Sequence, residues 1–134
     1  MASRFLRRKP CVLIVDDDSD VREFMRDVIS AWHCKALTAA SGPEALDILE
    51  RWRVDVVLLD VVMPTMDGVE TLLEIKRRMS ELPVIMMSAM LNPDLREYLA
   101  HTGAQCCLSK PIERKELARA LVPWCAPGGQ AAKQ

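Results

Sequence analysis

The sequence predicts an α/β fold in which a parallel sheet carries helices on both faces. Short, near-continuous apolar runs rich in β-branched residues alternate with longer runs whose apolar residues recur at helical spacing. That alternation repeats five times, and strand–helix repetition of this kind implies parallel strands joined by crossover helices. The chain has 134 residues, about one domain's worth.

Val12-Leu13-Ile14-Val15 is the first strand; its unbroken apolar character suits a strand buried on both faces. Val21, Phe24, Met25, Val28, Ile29 and Trp32 then recur at helical spacing. Ala36 to Ala39 is a weaker strand. Ser41-Gly-Pro-Glu44 reads as a capping box opening a helix with Ala45, Leu46, Leu49 and Trp52 on its inner side. Val54 to Leu59 is the third strand, and Val69, Leu72, Leu73 and Met79 mark the third helix. Val84 to Met87 is the fourth strand. Asn92-Pro93 is a cap and first-turn proline before Leu95, Tyr98 and Leu99. Cys106 to Leu108 is a second weak strand, and the last helix runs from about Glu113 and weakens before Pro123.

Composition narrows the function. Half the residues are apolar and 28% charged, a globular balance. Eighteen basic against nineteen acidic residues leave a net charge of −1, so no overall field recruits nucleic acid or an anionic membrane. Three Trp, one Tyr and two Phe are too few for a base-stacking platform. The longest apolar run in the first half, Cys11 to Val15, is far short of the ~20 residues of a membrane span, and two aspartates end any signal-like stretch at once. Cys11, Cys34, Cys106, Cys107 and Cys125 are odd in number and lack C-x-x-C spacing, so they read as small buried hydrophobes in a reducing cytoplasm. Residues 1–10 form a basic N-terminal extension, 11–125 the domain, and 126–134 a flexible C-terminal tail.

Polar residues punctuate the strand ends. Asp16, Asp17 and Asp18 follow the first strand, Asp60 the third, Ser88 the fourth and Lys110 the fifth. Their spacings are two, one and one strand–helix units, which places all of them on one edge of the sheet, where ligands of such folds bind. Each piece alone has a plain explanation. A lone aspartate after a strand is usually a helix cap, as Asp18 or Ser19 is expected to be; Ser88 alone is a turn residue and Lys110 a surface lysine. Together they are parts for phosphoryl chemistry. Clustered carboxylates suit Mg²⁺, the lysine and hydroxyl add a positive charge and a short donor, and an aspartate is then the nucleophile.

Val15-Asp16-Asp17-Asp18, Leu59-Asp60-Val-Val-Met63-Pro64-x-x-Asp67-Gly68, Met87-Ser88-Ala89 and Leu108-Ser109-Lys110-Pro111 resemble the response-regulator receiver domains of two-component signalling, from about Cys11 to Val122. The resemblance implies a flavodoxin-like doubly wound sheet of five strands in the order 2-1-3-4-5. It implies that Asp60 is the phosphoacceptor and that Asp16, Asp17, Asp60 and the backbone carbonyl of Val62 bind Mg²⁺. Ser88 is then the switch hydroxyl, Lys110 the phosphate-contacting residue, and Lys110–Pro111 a cis bond. A sensor histidine kinase or histidine phosphotransferase would donate the phosphoryl group near Arg22, Met25 and Pro111. An unknown protein partner would read Arg96, Tyr98 and Cys107; direct nucleic-acid binding and membrane insertion are not expected, and the location is cytoplasmic.

Two departures from the family pattern stand out. Cys107 occupies the usual aromatic switch position, and Val62 and Met90 are apolar where neighbours tune attack by water. Vicinal Cys106 and Cys107 point to opposite strand faces, which argues against a redox pair. A haloacid-dehalogenase-type phosphatase would want a second aspartate where Val62 stands. An interaction module that had lost phosphorylation would not be expected to keep Asp17, Asp60, Ser88 and Lys110.

Overall fold

The computed structural model describes residues 8–64 and 66–125. The elements run β1 (Cys11–Val15), α1 (Ser19–Ala31), β2 (Lys35–Ala39), α2 (Gly42–Arg51), β3 (Val56–Asp60), α3 (Gly68–Arg78), β4 (Val84–Ser88), α4 (Pro93–Thr102), β5 (Cys106–Ser109) and α5 (Arg114–Leu121). The strands form one parallel sheet in the order β2-β1-β3-β4-β5. This is the predicted doubly wound sheet, and the strand order reverses between β1 and β3, whose carboxyl ends flank the switch point.

Alternation along each strand sorts the core into two layers. Val12, Ile14, Val56, Leu58, Ile85 and Met87 pack with α1 and α5 on one face. Leu13, Val15, Val57, Leu59, Val84 and Met86 pack with α2, α3 and α4 on the other. Central strands β1, β3 and β4 are buried throughout, whereas the edge strands are half-covered. That explains why β2 and β5 read weakly in the sequence.

Several local expectations need adjustment. β3 starts at Val56 rather than Val54, because the Asp55 carboxylate accepts the Cys11 N–H at 2.8 Å and pairs with the Arg8 guanidinium at 2.9 Å. Arg8, exposed, is tied to the domain by that ion pair; residues 1–7 of the expected extension, and the 126–134 tail, lie outside the described residues. At α2, Ser41 Oγ accepts the Glu44 N–H at 3.3 Å, but the Glu44 carboxylate takes the Ala40 N–H at 2.7 Å. The reciprocal bond of a capping box is thus displaced by one residue. A complete box opens α3 instead: Asp67 accepts the Glu70 N–H and Glu70 the Asp67 N–H. Asn92 caps α4 as expected.

The cysteines depart most from expectation. Cys34 and Cys125 are joined in a disulfide, and Cys106 is exposed, so only Cys11 and Cys107 fit the reading as buried thiols. The pairing arises because α1 and α5 share a face and their carboxyl ends meet beneath it.

Helix termini also segregate charge. Asp20, Glu44, Glu70, Asp94 and Glu116 lie in first turns, while Arg51, Lys76, Arg77, Arg78 and Arg119 lie in last turns. Each sign complements the helix dipole. In a parallel α/β sheet all helix amino ends share one edge, so the first-turn acids gather there, while Arg51, Arg77 and Arg78 at the other edge are ion-paired with Asp47, Glu74 and Glu50.

Gly68 marks the tightest approach. A Cβ there would overlap the Asp60 carbonyl oxygen and the Val61 Cα, backbone atoms that cannot step aside. The Gly68 N–H also bonds the Val61 carbonyl at 2.8 Å. Gly68→Ala should cost about 1–3 kcal/mol through overpacking, read as a lower urea midpoint at unchanged slope. An unchanged midpoint would show that the β3–α3 loop relaxes freely.

Candidate phosphoryl-handling site

The strand ends deliver the predicted residues to one edge. Asp16 directly follows β1, and its N–H bonds the Ala39 carbonyl at 3.1 Å, so β2 fixes its backbone. Asp60 is the last residue of β3. The next N–H, from Val61, bonds the Met87 carbonyl at 2.9 Å, and Lys110 N–H bonds the Ser88 carbonyl at 2.9 Å. The ladder is therefore extended by one bond beyond each strand, and this holds the loops in register. Lys110–Pro111 is cis, as the resemblance implied.

Lys110 Nζ donates to Asp16 Oδ2 at 2.6 Å and lies 3.3 Å from Asp60 Oδ2. The other Asp16 oxygen accepts the Asp18 N–H at 3.0 Å, and the other Asp60 oxygen accepts the Val62 N–H at 3.4 Å. Asp16 and Asp60 are buried, whereas Asp17 is exposed. One carboxylate oxygen from each of the three lies within 4.8 Å of the others. This all-oxygen, triply acidic donor set suits a hard divalent cation. The Val62 backbone stands beside Asp60 through its N–H, and its side chain is 67% exposed.

Ser88 is buried, and its hydroxyl accepts the Met90 N–H at 3.0 Å. It thus performs the turn role a lone serine would have, at the strand end next to Asp60. Met90 itself is 74% exposed. Cys107 is buried on the α4 side of β5, and the Arg96 guanidinium bonds its carbonyl at 3.4 Å. Cys106 faces the opposite side, as strand alternation requires.

Electrostatics follow from this crowding. Burial, then the Asp16 charge, pushes the Asp60 carboxyl above its usual range, and Lys110 only partly offsets them. Burial alone would lower Lys110, but the hydrogen bond and charge of Asp16, followed by Asp60, outweigh it and raise Lys110.

Sequence reasoning did not anticipate the role of Arg22. Its guanidinium donates to the Asp16 carbonyl at 2.8 Å and braces the first acidic turn from α1. Arg22 is thus engaged with the first acidic turn, and Met25 is buried. Phe24, on the same helix, is exposed. It lines a groove of about 560 Å³ with Val21, Met25, Lys110, Pro111 and Ile112.

Comparison with known proteins agrees with the geometry. Residues 12–122 match the family model described as response regulator receiver domain. The "Probable transcriptional regulator ycf27" of Guillardia theta is 37% identical over 112 residues, covering 84% of this chain and 44% of the relative. "Response regulator MprA" of Mycobacterium sp. (strain KMS) is 36% identical over 106 residues, covering 79% and 46%. The chain thus spans under half the length of these curated relatives. Among solved structures, the Vibrio cholerae chemotaxis protein CheY4 superposes with a TM-score of 0.82 at 28% identity, over 85% of this chain and 97% of that one.

Because the ionised Asp60 carboxylate is disfavoured by burial and by Asp16, its charge destabilises the cation-free fold at neutral pH. Its folded pKa lies above the unfolded one, so stability attributable to this group rises as pH falls through that window. Asp60→Asn should therefore raise the urea midpoint of chelator-treated protein at pH 7. A lower midpoint would mean that pairing with Lys110 outweighs burial.

Proposed function

The chain belongs to the response-regulator receiver family, and we propose that Asp60 accepts a phosphoryl group from a phosphohistidine on a partner kinase or phosphotransferase. The family is a signalling domain rather than a conventional enzyme; the only chemistry proposed for this chain is its own phosphorylation and slow dephosphorylation. The supporting observation is the convergence of Asp16, Asp17, Asp60 and Lys110 at one sheet edge. In the transfer, an Asp60 oxygen forms the new P–O bond while the donor's P–N bond breaks and the electron pair leaves on the imidazole.

Asp16, Asp17, Asp60 and the Val62 carbonyl would hold Mg²⁺, which supplies charge neutralisation for the phosphoryl oxygens. Lys110, already 3.3 Å from Asp60, contacts the added phosphoryl from its existing position. Phosphorylation adds charge and acceptor oxygens. Ser88 then exchanges its bond to the Met90 N–H for one to the phosphoryl, which draws the β4–α4 loop inward. With Cys107 in place of an aromatic ring, the change travels through packing and through the Arg96 bond to the Cys107 carbonyl. Exposed Tyr98 and the α4–β5–α5 face present the result to a protein partner; buried Cys107 does not touch it. The donor approaches over the groove beside Phe24 and Pro111. Among the described residues no helix is long and apolar enough to cross a membrane, and a cytoplasmic location suits a kinase-fed receiver.

Acetyl phosphate with Mg²⁺ should produce a hydroxylamine-labile adduct on intact-mass analysis. Asp60→Asn should abolish it, and Asp17→Asn should reduce it severely. Uptake by Asp60→Asn at the native rate would overturn the assignment of the acceptor.

Val62 and Met90, two residues after Asp60 and Ser88, are both exposed, and neither side chain can orient a water by hydrogen bonding. A long-lived phospho-form is expected. Combining Val62→Asn with Met90→Glu should speed loss of phosphate by about tenfold, or ~1.4 kcal/mol off the barrier. An unchanged decay rate would show that other groups set the lifetime.

A further inference from the structure

Two cysteines far from the phosphoryl site are brought together by the fold. Cys34 follows the turn after α1, in which His33 sits in the left-handed region at φ 63°. Cys125 closes the turn that ends α5, where its N–H bonds the Leu121 carbonyl at 2.6 Å. They are 91 residues apart in sequence, yet their Cα atoms are 6.3 Å apart and the sulfurs are bonded. Both residues are buried in the layer that contains Val28, Ile29, Trp32 and Leu121. The other thiols are not placed to compete: Cys106 and Cys107 lie on β5, and Cys11 falls on the opposite face of β1 from Val12.

We propose that Cys34 and Cys125 form a reversible thiol–disulfide site that locks the carboxyl end of α5, adding an oxidation-controlled input to the phosphorylation switch. The proposal rests on the receiver reading and its cytoplasmic location, since disulfides in a reducing compartment are usually transient, catalytic or redox-sensing. The oxidant is a small disulfide such as oxidised glutathione. One cysteine thiolate attacks it, forms a mixed disulfide and releases one glutathione thiolate. The second cysteine thiolate then displaces the other. The protein gives up two electrons and two protons, and the oxidant becomes two thiols.

The fold gives this bond a mechanical consequence. Because both residues are buried, exchange requires the Val122–Trp124 turn to open, and the completed bond holds that same turn closed. α5 spans eight residues, roughly 12 Å, and its other end is reached directly from Lys110 through Pro111 and Ile112. Locking Cys125 therefore fixes the far end of the segment that begins at the phosphate-contacting lysine. Oxidation therefore restrains α5, which forms part of the proposed output face.

The test compares the full chain equilibrated with oxidised glutathione or with dithiothreitol, then denatured, alkylated and mapped by mass spectrometry. Three alkylated cysteines are expected in the oxidised sample and five in the reduced one, with a cross-linked peptide joining Cys34 to Cys125. Amide exchange across residues 114–125 should be slower when oxidised, and reduction should lower the melting midpoint on the order of 10 °C. Cys34→Ser and Cys125→Ser, each with four cysteines left to alkylate, should match the reduced protein in amide exchange and melting under both conditions. Five alkylated cysteines after oxidation, a stable glutathione adduct, a cross-link through Cys106 or Cys107, or equal exchange in both redox forms would overturn the proposal. Acetyl-phosphate labelling of the reduced protein and of Cys34→Ser reads the receiver function separately: absence of the adduct in both would count against that reading and leave the thiol result standing.

Discussion

Carboxylates gathered at one edge of a parallel sheet repel one another, and the Lys110 ammonium is the charge that lets Asp16 and Asp60 share that edge. It bonds Asp16 at 2.6 Å and reaches Asp60 at 3.3 Å. In doing so it ties the loop after β5 to the loops after β1 and β3. The remaining strain falls on Asp60, whose carboxyl is held above its ordinary range. Such a group gains from a bound cation or from conversion to an acyl phosphate. A site poised in this way gives up stability at rest for responsiveness to charge.

The central strands were legible because burial on both faces leaves continuous apolar runs, as at Val12–Val15 and Val84–Met87. The edge strands were fainter because one flank meets solvent: β2 begins with exposed Lys35, and β5 begins and ends exposed. The start of β3 was misplaced because Val54 is apolar, while the deciding contacts of Asp55 come from Cys11 and Arg8, more than forty residues away in sequence. Capping at α2 was read from Ser41 and Glu44, but the carboxylate satisfied a donor one residue earlier. Local patterns select the partners' types; the loop path selects which donor is reached.

The convergence of Asp16, Asp17, Asp60 and Lys110 was legible for a related reason. Strand ends are fixed by apolar runs, so polar residues that follow them must converge. What spacing could not reveal was which atoms pair in the resting state. Ser88 is engaged with the Met90 N–H, and Arg22 braces the Asp16 carbonyl rather than standing free. The disulfide was illegible for a deeper reason. Nothing near Cys34 or Cys125 signals pairing; their meeting depends on α1 and α5 lying on the same side of the sheet. Connectivity of that kind is a property of topology.

The acidic first turns of the helices gather negative charge at the edge that holds Asp16, Asp17 and Asp60, although the net charge is only −1. An anionic donor meets the acidic edge first, so its approach is opposed over about one Debye length, ~10 Å at 0.1 M salt. Screening by salt, or neutralisation by a divalent cation, removes that opposition before any bond is made. Encounter with the proposed phosphorylated donor would therefore depend on ionic conditions separately from the transfer itself.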